Sequence, residues 1–238
     1  MILAAGLGTR LGWLTKDKPK ALVPFAGKPM LESLILRLKE QGFGEILINI
    51  HHQAKQIMEF VKDHQSFGVN IVFSHEKKVL LDTGGAIAFA KDFIQGSEPV
   101  LIHNVDIYSD LDFREVIYHH IQSQAFATLV VRDRETSRKL LFDKDLQLKG
   151  WENLKTGEHK WVDKPLEKVK SLAYSGIYVV CPGFAGSIPF KGAFSIIDAW
   201  LAMASRYEIC GWVDENSRWY DLGSTERIKR AEDELKSL

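Results

Sequence analysis

Leu3-Ala4-Ala5-Gly6-Leu7-Gly8-Thr9-Arg10-Leu11, then Gly12-Trp13-Leu14-Thr15-Lys16-Asp17, then Lys18-Pro19-Lys20-Ala21-Leu22-Val23, is the stretch that decides the fold of this chain. Gly6 and Gly8 follow a short apolar run and make a loop whose backbone N–H groups can close around phosphate oxygens. Arg10 ends that loop and Lys20 follows it. Main-chain donors close in, with mobile cations to neutralise charge, are what a bound polyphosphate needs. The stretch lacks the Gly-Lys-Ser/Thr of a Walker loop and is not a full Gly-x-Gly-x-x-Gly dinucleotide loop.

Outward from this loop, short β-branched runs alternate with amphipathic stretches, the pattern of an α/β fold with a mostly parallel, Rossmann-like central sheet flanked by helices. Met1–Ala4 reads as the first strand, Glu45–Ile50 as the second, and Ile71–Ser74, Val100–His103, Ala127–Arg132 and Ala173–Val180 as further strands. Helices are expected over Pro29–Gln41, Ala54–His64, Gly84–Ala90, Phe113–Ser123, Ser195–Ser205 and Thr225–Leu238. In the first of these, Leu31, Leu34, Ile35 and Leu38 form one apolar stripe and Gly42 stops the helix. Arg132 to Leu172 is charged, with short alternating runs at Lys139–Phe142 and Leu146–Trp151, and reads as a small β-rich insertion.

The chain has 238 residues, enough for a sizeable core in one domain. Its 31 basic and 31 acidic residues cancel, so no basic field points to nucleic acid or to an anionic membrane. No apolar run approaches the roughly 20 residues that span a bilayer, and no signal peptide is visible. Cys181 and Cys210 fit a reducing compartment, as free thiols, better than a disulfide framework, and the chain reads as cytoplasmic.

The glycine loop and the Pro19-Lys20-Ala21-Leu22 element that follows it resemble the signature of the sugar-1-phosphate nucleotidylyltransferases, Leu-Ala-(Ala/Gly)-Gly-x-Gly-(Thr/Ser)-Arg-(Leu/Met) and Pro-Lys-(Ala/Pro)-Leu. The resemblance covers almost the whole chain. It implies a single nucleotidyltransferase domain over residues 1–238, with a sugar-side β insertion at about 133–172 and no β-helix domain. The resemblance implies a few residues before the first strand, so with Met1 inside that strand a shortened start is the expectation. The implied partners are a nucleoside triphosphate and a sugar 1-phosphate; monomer and dimer both stay open.

The resemblance also assigns roles. Arg10 and Lys20 become the catalytic cations, Lys20 reaching the reacting phosphates. Leu3, Ala4, Ala5, Gly6, Gly8, Thr9, Asp82, Thr83, Gly84 and Asn104 become the nucleotide contacts, the Leu81-Asp82-Thr83-Gly84-Gly85 segment lining the base. Asp82 or Thr83 could equally cap a helix that begins there. Asp106, after a central strand, and Asp221, in Trp219-Tyr220-Asp221-Leu222-Gly223-Ser224, become the ligands of Mg²⁺, which takes a few carboxylates plus phosphate oxygens. Asp163 and Lys164, in Val162-Asp163-Lys164-Pro165, become the clamp for sugar and sugar phosphate, flanked by Ser175 and Gly176 of Tyr174-Ser175-Gly176-Ile177.

One residue departs from the family pattern. Val105 stands between Asn104 and Asp106, where relatives carry glycine. Glycine lets backbone approach a substrate closely, so this departure bears on the sugar position. His51-His52 and His119-His120 lack a zinc spacing. Trp151, Trp161, Trp200, Trp212 and Trp219 read as packing residues, and Trp13, in the phosphate loop, as a partial cover.

Ser66-Phe67-Gly68-Val69, Phe73-Ser74-His75-Glu76, Ala193-Phe194-Ser195 and Trp219 to Arg227 resemble the N-acetylmuramate-1-phosphate uridylyltransferases of cell-wall recycling. The Arg132–Leu172 insertion and the Asp163-Lys164 pair look more like hexose-1-phosphate enzymes. The expected substrates are therefore UTP with N-acetylmuramate 1-phosphate first, and GTP with mannose or heptose 1-phosphate second. A non-catalytic nucleotide-sugar sensor on the same fold is the alternative from another class.

Overall fold

The computed structural model describes residues 1–237, which cluster into two compact units. The first gathers residues 1–80, 103–111 and the chain from 218 onward. Four of its strands pair in parallel: Glu45–Ile50 lies between Ile2–Leu3 and Asn70–His75, and Ile2 and Leu3 pair on their other side with His103 and Asn104. Ile46, Leu47, Ile48, Asn49 and Ile50 are all buried, the near-continuous burial that a parallel strand shows. Such a sheet presents its ligand sites at the carboxyl ends of its strands.

Helix Met30–Glu40 buries the expected Leu31, Leu34, Ile35 and Leu38. It closes on Gly42, at φ 92°: the Gly42 N–H donates to Lys39 O at 3.0 Å and the Phe43 N–H to Leu38 O at 3.0 Å, a Schellman closure that only a residue at ease in the left-handed region permits. Helix Ala54–Asp63 buries Ala54, Ile57 and Val61. Ile107–Ser109 and Trp219–Asp221 form a short antiparallel ladder in register Trp219↔Ser109 and Asp221↔Ile107. Helix Thr225–Lys236 follows, capped by Ser224, whose hydroxyl accepts from the Arg227 N–H. The expected end of that helix at Leu238 falls outside the described residues.

The second unit comprises residues 81–102 and 112–217. Ala127–Arg132 pairs in parallel with Ile209–Val213 and antiparallel with Lys170–Val180. Lys170–Val180 goes on to pair with Arg138–Phe142, that strand with Leu148–Asn153, and that one with Glu158–Trp161, all antiparallel. The β-rich insertion is thus three strands rather than the two named from sequence. Tyr174, Tyr178 and Trp200 meet edge to face at 5.0–6.2 Å and fix helix Ile196–Met203 to this sheet.

The α/β class expected from the sequence is the class of the structure. The helix placed at Gly84–Ala90 runs Asp82–Phe89, with Asp82 itself at φ 57°. Strand Ile209–Val213 is absent from the sequence reading because Gly211 interrupts it: a Cβ there would lie 3.1 Å from the Phe142 ring, so the glycine is a packing choice and not a turn. Among the described residues no helix is long and apolar enough to cross a membrane.

Candidate active site

The glycine loop leaves the carboxyl end of strand Ile2–Leu3, where the Ala4 N–H donates to Asn49 O at 3.0 Å. Ala4 and Ala5 are buried, whereas Gly6, Thr9 and Arg10 face solvent. Gly8 turns the chain at φ 67°, and a Cβ there would sit 2.9 Å from both Lys20 Cβ and Thr15 Cγ2. The glycine is therefore required twice, by its dihedral and by the close passage of Lys20. The Thr15 hydroxyl reaches Gly8 O at 3.1 Å and Gly12 O at 3.2 Å, and the Leu11 N–H donates to Gly8 O at 2.8 Å. With Leu11 fully buried as an anchor, the loop is held rigidly and carries Arg10 and the exposed Trp13 outward.

Lys20 Nζ pairs with Asp106 Oδ2, both side chains being mostly buried. Asn104 lies beside Leu3 in the sheet, and the Val105 N–H donates to Leu3 O at 3.1 Å, so the loop's first residue and the Asn104–Asp106 turn leave adjacent strand ends together. Val105 does not face outward. Its side chain is buried and lines a small cavity with Phe25, Met30, Leu34, His103 and Leu222, so the interior of the unit absorbs this departure from glycine. Burial pushes the neighbouring His103 imidazole down to about 4, against the opposing pull of its Nδ1 bond to Asn104 O at 2.8 Å.

Asp221 stands one register step from this turn. It is paired with Ile107, and the Leu222 N–H donates to Asp106 O at 2.8 Å. Asp221 Oδ2 pairs with Arg227, and Oδ1 accepts the Gly223 N–H at 2.8 Å. Arg10 is the uncommitted cation: it makes no hydrogen bond or ion pair among the described residues, and its Nη2 lies 2.9 Å from where a Gly223 Cβ would stand. Three cations and two carboxylates thus share one end of the unit. Among the described residues no group of three or more His, Cys, Asp or Glu could hold a metal unaided. Two carboxylates on hydrogen-bonded segments nevertheless fit Mg²⁺, which takes one or two carboxylates and completes its shell with phosphate oxygens and water.

The other expected residues lie in the second unit. Leu81, not Asp82 or Thr83, holds the cap position of helix Asp82–Phe89, and no side chain caps it. Asp82 Oδ1 instead accepts the N–H of Thr83 at 2.6 Å, and Thr83 Oγ1 accepts the Ile196 N–H at 3.0 Å. Gly84 is buried, its N–H donating to Phe194 O at 3.0 Å, and a Cβ there would stand 2.4 Å from the Phe194 ring. Asp163 and Lys164 are exposed in the loop after Glu158–Trp161, with no hydrogen bond or ion pair among the described residues. Ser175 is buried and donates to Val130 O at 2.8 Å. Gly176, at φ 85°, sits where the register of Lys170–Val180 against Ala127–Arg132 shifts.

Sequence reasoning missed two members of the first unit's polar end. One is Arg227, whose only signal was its position after the Asp221 motif. The other is Glu76, 2% exposed at the carboxyl end of Asn70–His75, whose carboxylate accepts from Asn49 Nδ2 at 2.8 Å. A lone Glu after a strand carries no sequence signal of burial.

A family model described as nucleotidyl transferase matches residues 1–237. Mannose-1-phosphate guanylyltransferase catalytic subunit beta of Drosophila pseudoobscura pseudoobscura is 31% identical over 228 residues, covering 94% of this chain and 58% of its own length. This chain thus spans less than two thirds of that relative. N-acetylmuramate alpha-1-phosphate uridylyltransferase of Caulobacter vibrioides is 28% identical over 248 residues, covering 99% of this chain and 96% of its own length. The crystal structure of a putative glucose-1-phosphate thymidylyltransferase from Bacillus anthracis superposes with a TM-score of 0.80 at 20% identity, over 100% of this chain and 94% of its own, a likeness of fold.

Proposed function

The chain belongs to the nucleotidyl transferase family, and on that premise we propose that it joins a nucleoside triphosphate to a sugar 1-phosphate, releasing pyrophosphate. The observation that carries this reading is the Lys20–Asp106 pair beside a pinned glycine loop that presents an uncommitted Arg10. The bond that forms joins an oxygen of the sugar phosphate to the α-phosphorus. The bond that breaks is the one from the α-phosphorus to the bridging oxygen of the leaving pyrophosphate. A phosphate monoester is already ionised at neutral pH, so no side chain need remove a proton, and positioning and charge stabilisation carry the rate.

In this reading the loop N–H groups and Arg10 hold the triphosphate, and Lys20 offsets the charge that builds on the α-phosphoryl oxygens. Asp106 and Asp221 would hold Mg²⁺, which when bound supplies further neutralisation of phosphate charge. Asp163 and Lys164, exposed and unpaired among the described residues, suit hydroxyl and phosphate recognition of the sugar. Asp82, Thr83 and Gly84 take the base-side role through main-chain contacts.

For substrates we propose UTP with N-acetylmuramate 1-phosphate, and with it a place in cell-wall recycling. This is supported by the Caulobacter relative, whose length this chain nearly spans. GTP with mannose or heptose 1-phosphate is the second reading, supported by the higher identity to the Drosophila guanylyltransferase. The free Cys181 and Cys210 support a reducing, cytoplasmic setting. The test crosses UTP, GTP, CTP, dTTP and ATP against N-acetylmuramate, N-acetylglucosamine, mannose, heptose and glucose 1-phosphates with Mg²⁺, reading pyrophosphate. One strong pair is expected. Nucleotide binding with silence across the grid would replace transfer with the sensor reading.

A further inference from the structure

Gly223 has no positive φ, so left-handed backbone strain does not exclude a side chain there. What excludes one is occupancy: a Cβ would stand 2.8 Å from Asp221 Oδ1, 2.9 Å from Arg10 Nη2 and 3.4 Å from Arg10 Cζ. Gly6, in the glycine loop, has nothing within 4 Å of its missing Cβ. Of the two, only Gly223 is empty because a functional guanidinium and carboxylate fill its place. Both neighbours are ends of side chains and not backbone, so a methyl group added there displaces those groups and leaves the chain path standing.

We infer that Gly223 is a positioning residue, whose missing side chain forms the slot that aims Arg10 at the anionic substrate and seats Asp221. The inference rests on the transferase reading above. Among the described residues Arg10 has no ion pair to hold it, so its direction is set by shape. The main chain completes the slot: the Gly223 N–H donates to Asp221 Oδ1 at 2.8 Å, while Arg227 takes the other carboxylate oxygen, which leaves the guanidinium of Arg10 unneutralised for phosphate. A misplacement of about 1 Å in such a group is worth roughly a hundredfold in rate.

The experiment compares the full chain with Gly223→Ala, Arg10→Ala and the double variant, reading pyrophosphate release and melting temperature, together with crystal structures of the wild type and Gly223→Ala. Gly223→Ala should lose roughly a hundredfold in turnover with little change in melting temperature. Its loss in the Arg10→Ala background should be smaller, since only the displacement of Asp221 then remains. The crystal structure of the variant should show Arg10 moved from its wild-type position. Unchanged turnover in Gly223→Ala, losses that multiply in full in the double variant, or an unmoved Arg10 would each overturn the inference. A wild type silent across the substrate grid, with Arg10 still displaced by Gly223→Ala, would overturn the transferase reading and leave the positioning role standing.

Discussion

At the scale of single residues the site is a set of charges whose partners differ. Lys20 is paired with Asp106 and Arg227 with Asp221, while Arg10 has none among the described residues. Replacing Lys20 or Asp106 by Ala leaves the other member unpaired and mostly buried, which costs about 1–3 kcal/mol of stability. The fold should survive this, while turnover should fall on the order of a hundredfold or more as a fixed charge leaves the reacting phosphates. Pyrophosphate release beside a melting curve separates the two effects; full turnover in both variants would remove these residues from the chemistry. Lys20, Arg10 and Asp106 could be singled out because each sits in a motif whose spacing carries meaning along the chain, and the structure pairs Lys20 with Asp106. Arg227 and Glu76 were not, because what distinguishes them is a partner supplied by another segment: Asp221 across a helix start, Asn49 across a strand pair. Val105 shows the opposite limit. Its identity was plain, but whether it met substrate or core depended on packing, and it is buried.

At the scale of elements the glycines separate by what their missing side chains would meet. Gly84→Ala would put a methyl group 2.4 Å from Phe194 Cε2 and 3.0 Å from Ile196 N. The ring can swing but the backbone cannot, so helix Asp82–Phe89 must pull away from residues 194–196 at a cost of about 1–3 kcal/mol. Gly6→Ala meets nothing within 4 Å and has no positive φ, so its stability should change by less than about 0.5 kcal/mol. If the loop backbone lies against phosphate, its turnover should nonetheless fall. Urea unfolding and pyrophosphate release on both variants check the pair, and equal losses of stability would contradict the assignment. The same logic explains which elements were readable. Glu45–Ile50 and Phe113–Ser123 follow from hydrophobic period alone and have the expected ends. Ile209–Val213 did not follow, because Gly211 answers to the Phe142 ring on a neighbouring strand. The ladder of Ile107–Ser109 with Trp219–Asp221 is too short for any period to show, yet it is what brings the two aspartates to one place.

At the scale of the whole molecule the two units share a weakness to acid. Burial pushes His103, in the first unit, and His120, in the second, down to about 4 from the ordinary 6.5. His120 Nδ1 lies 2.9 Å from Thr128 Oγ1, and His103 Nδ1 2.8 Å from Asn104 O, whose upward pull on the His103 pKa is outweighed by burial. Because the folded pKa is lowered, the unfolded chain binds more protons between about pH 6.5 and 4, and stability must fall as pH drops through that window. Above it both states are neutral at these sites and pH has no leverage through them. For His103 the loss reaches about 2 kcal/mol by pH 5, and His120 adds to it in the same direction. Carboxylates titrate mostly below this range, but the buried Met1 amine, pushed down from 8.0 to about 5, titrates within it, so the slope between pH 7 and 5 reports on that amine as well as on imidazoles. Urea midpoints measured across it should fall for the wild type and fall less steeply for His103→Gln, whatever the absolute stability of that variant. A wild-type midpoint that stays level from pH 7 to 5 would mean that His103 can be protonated in place.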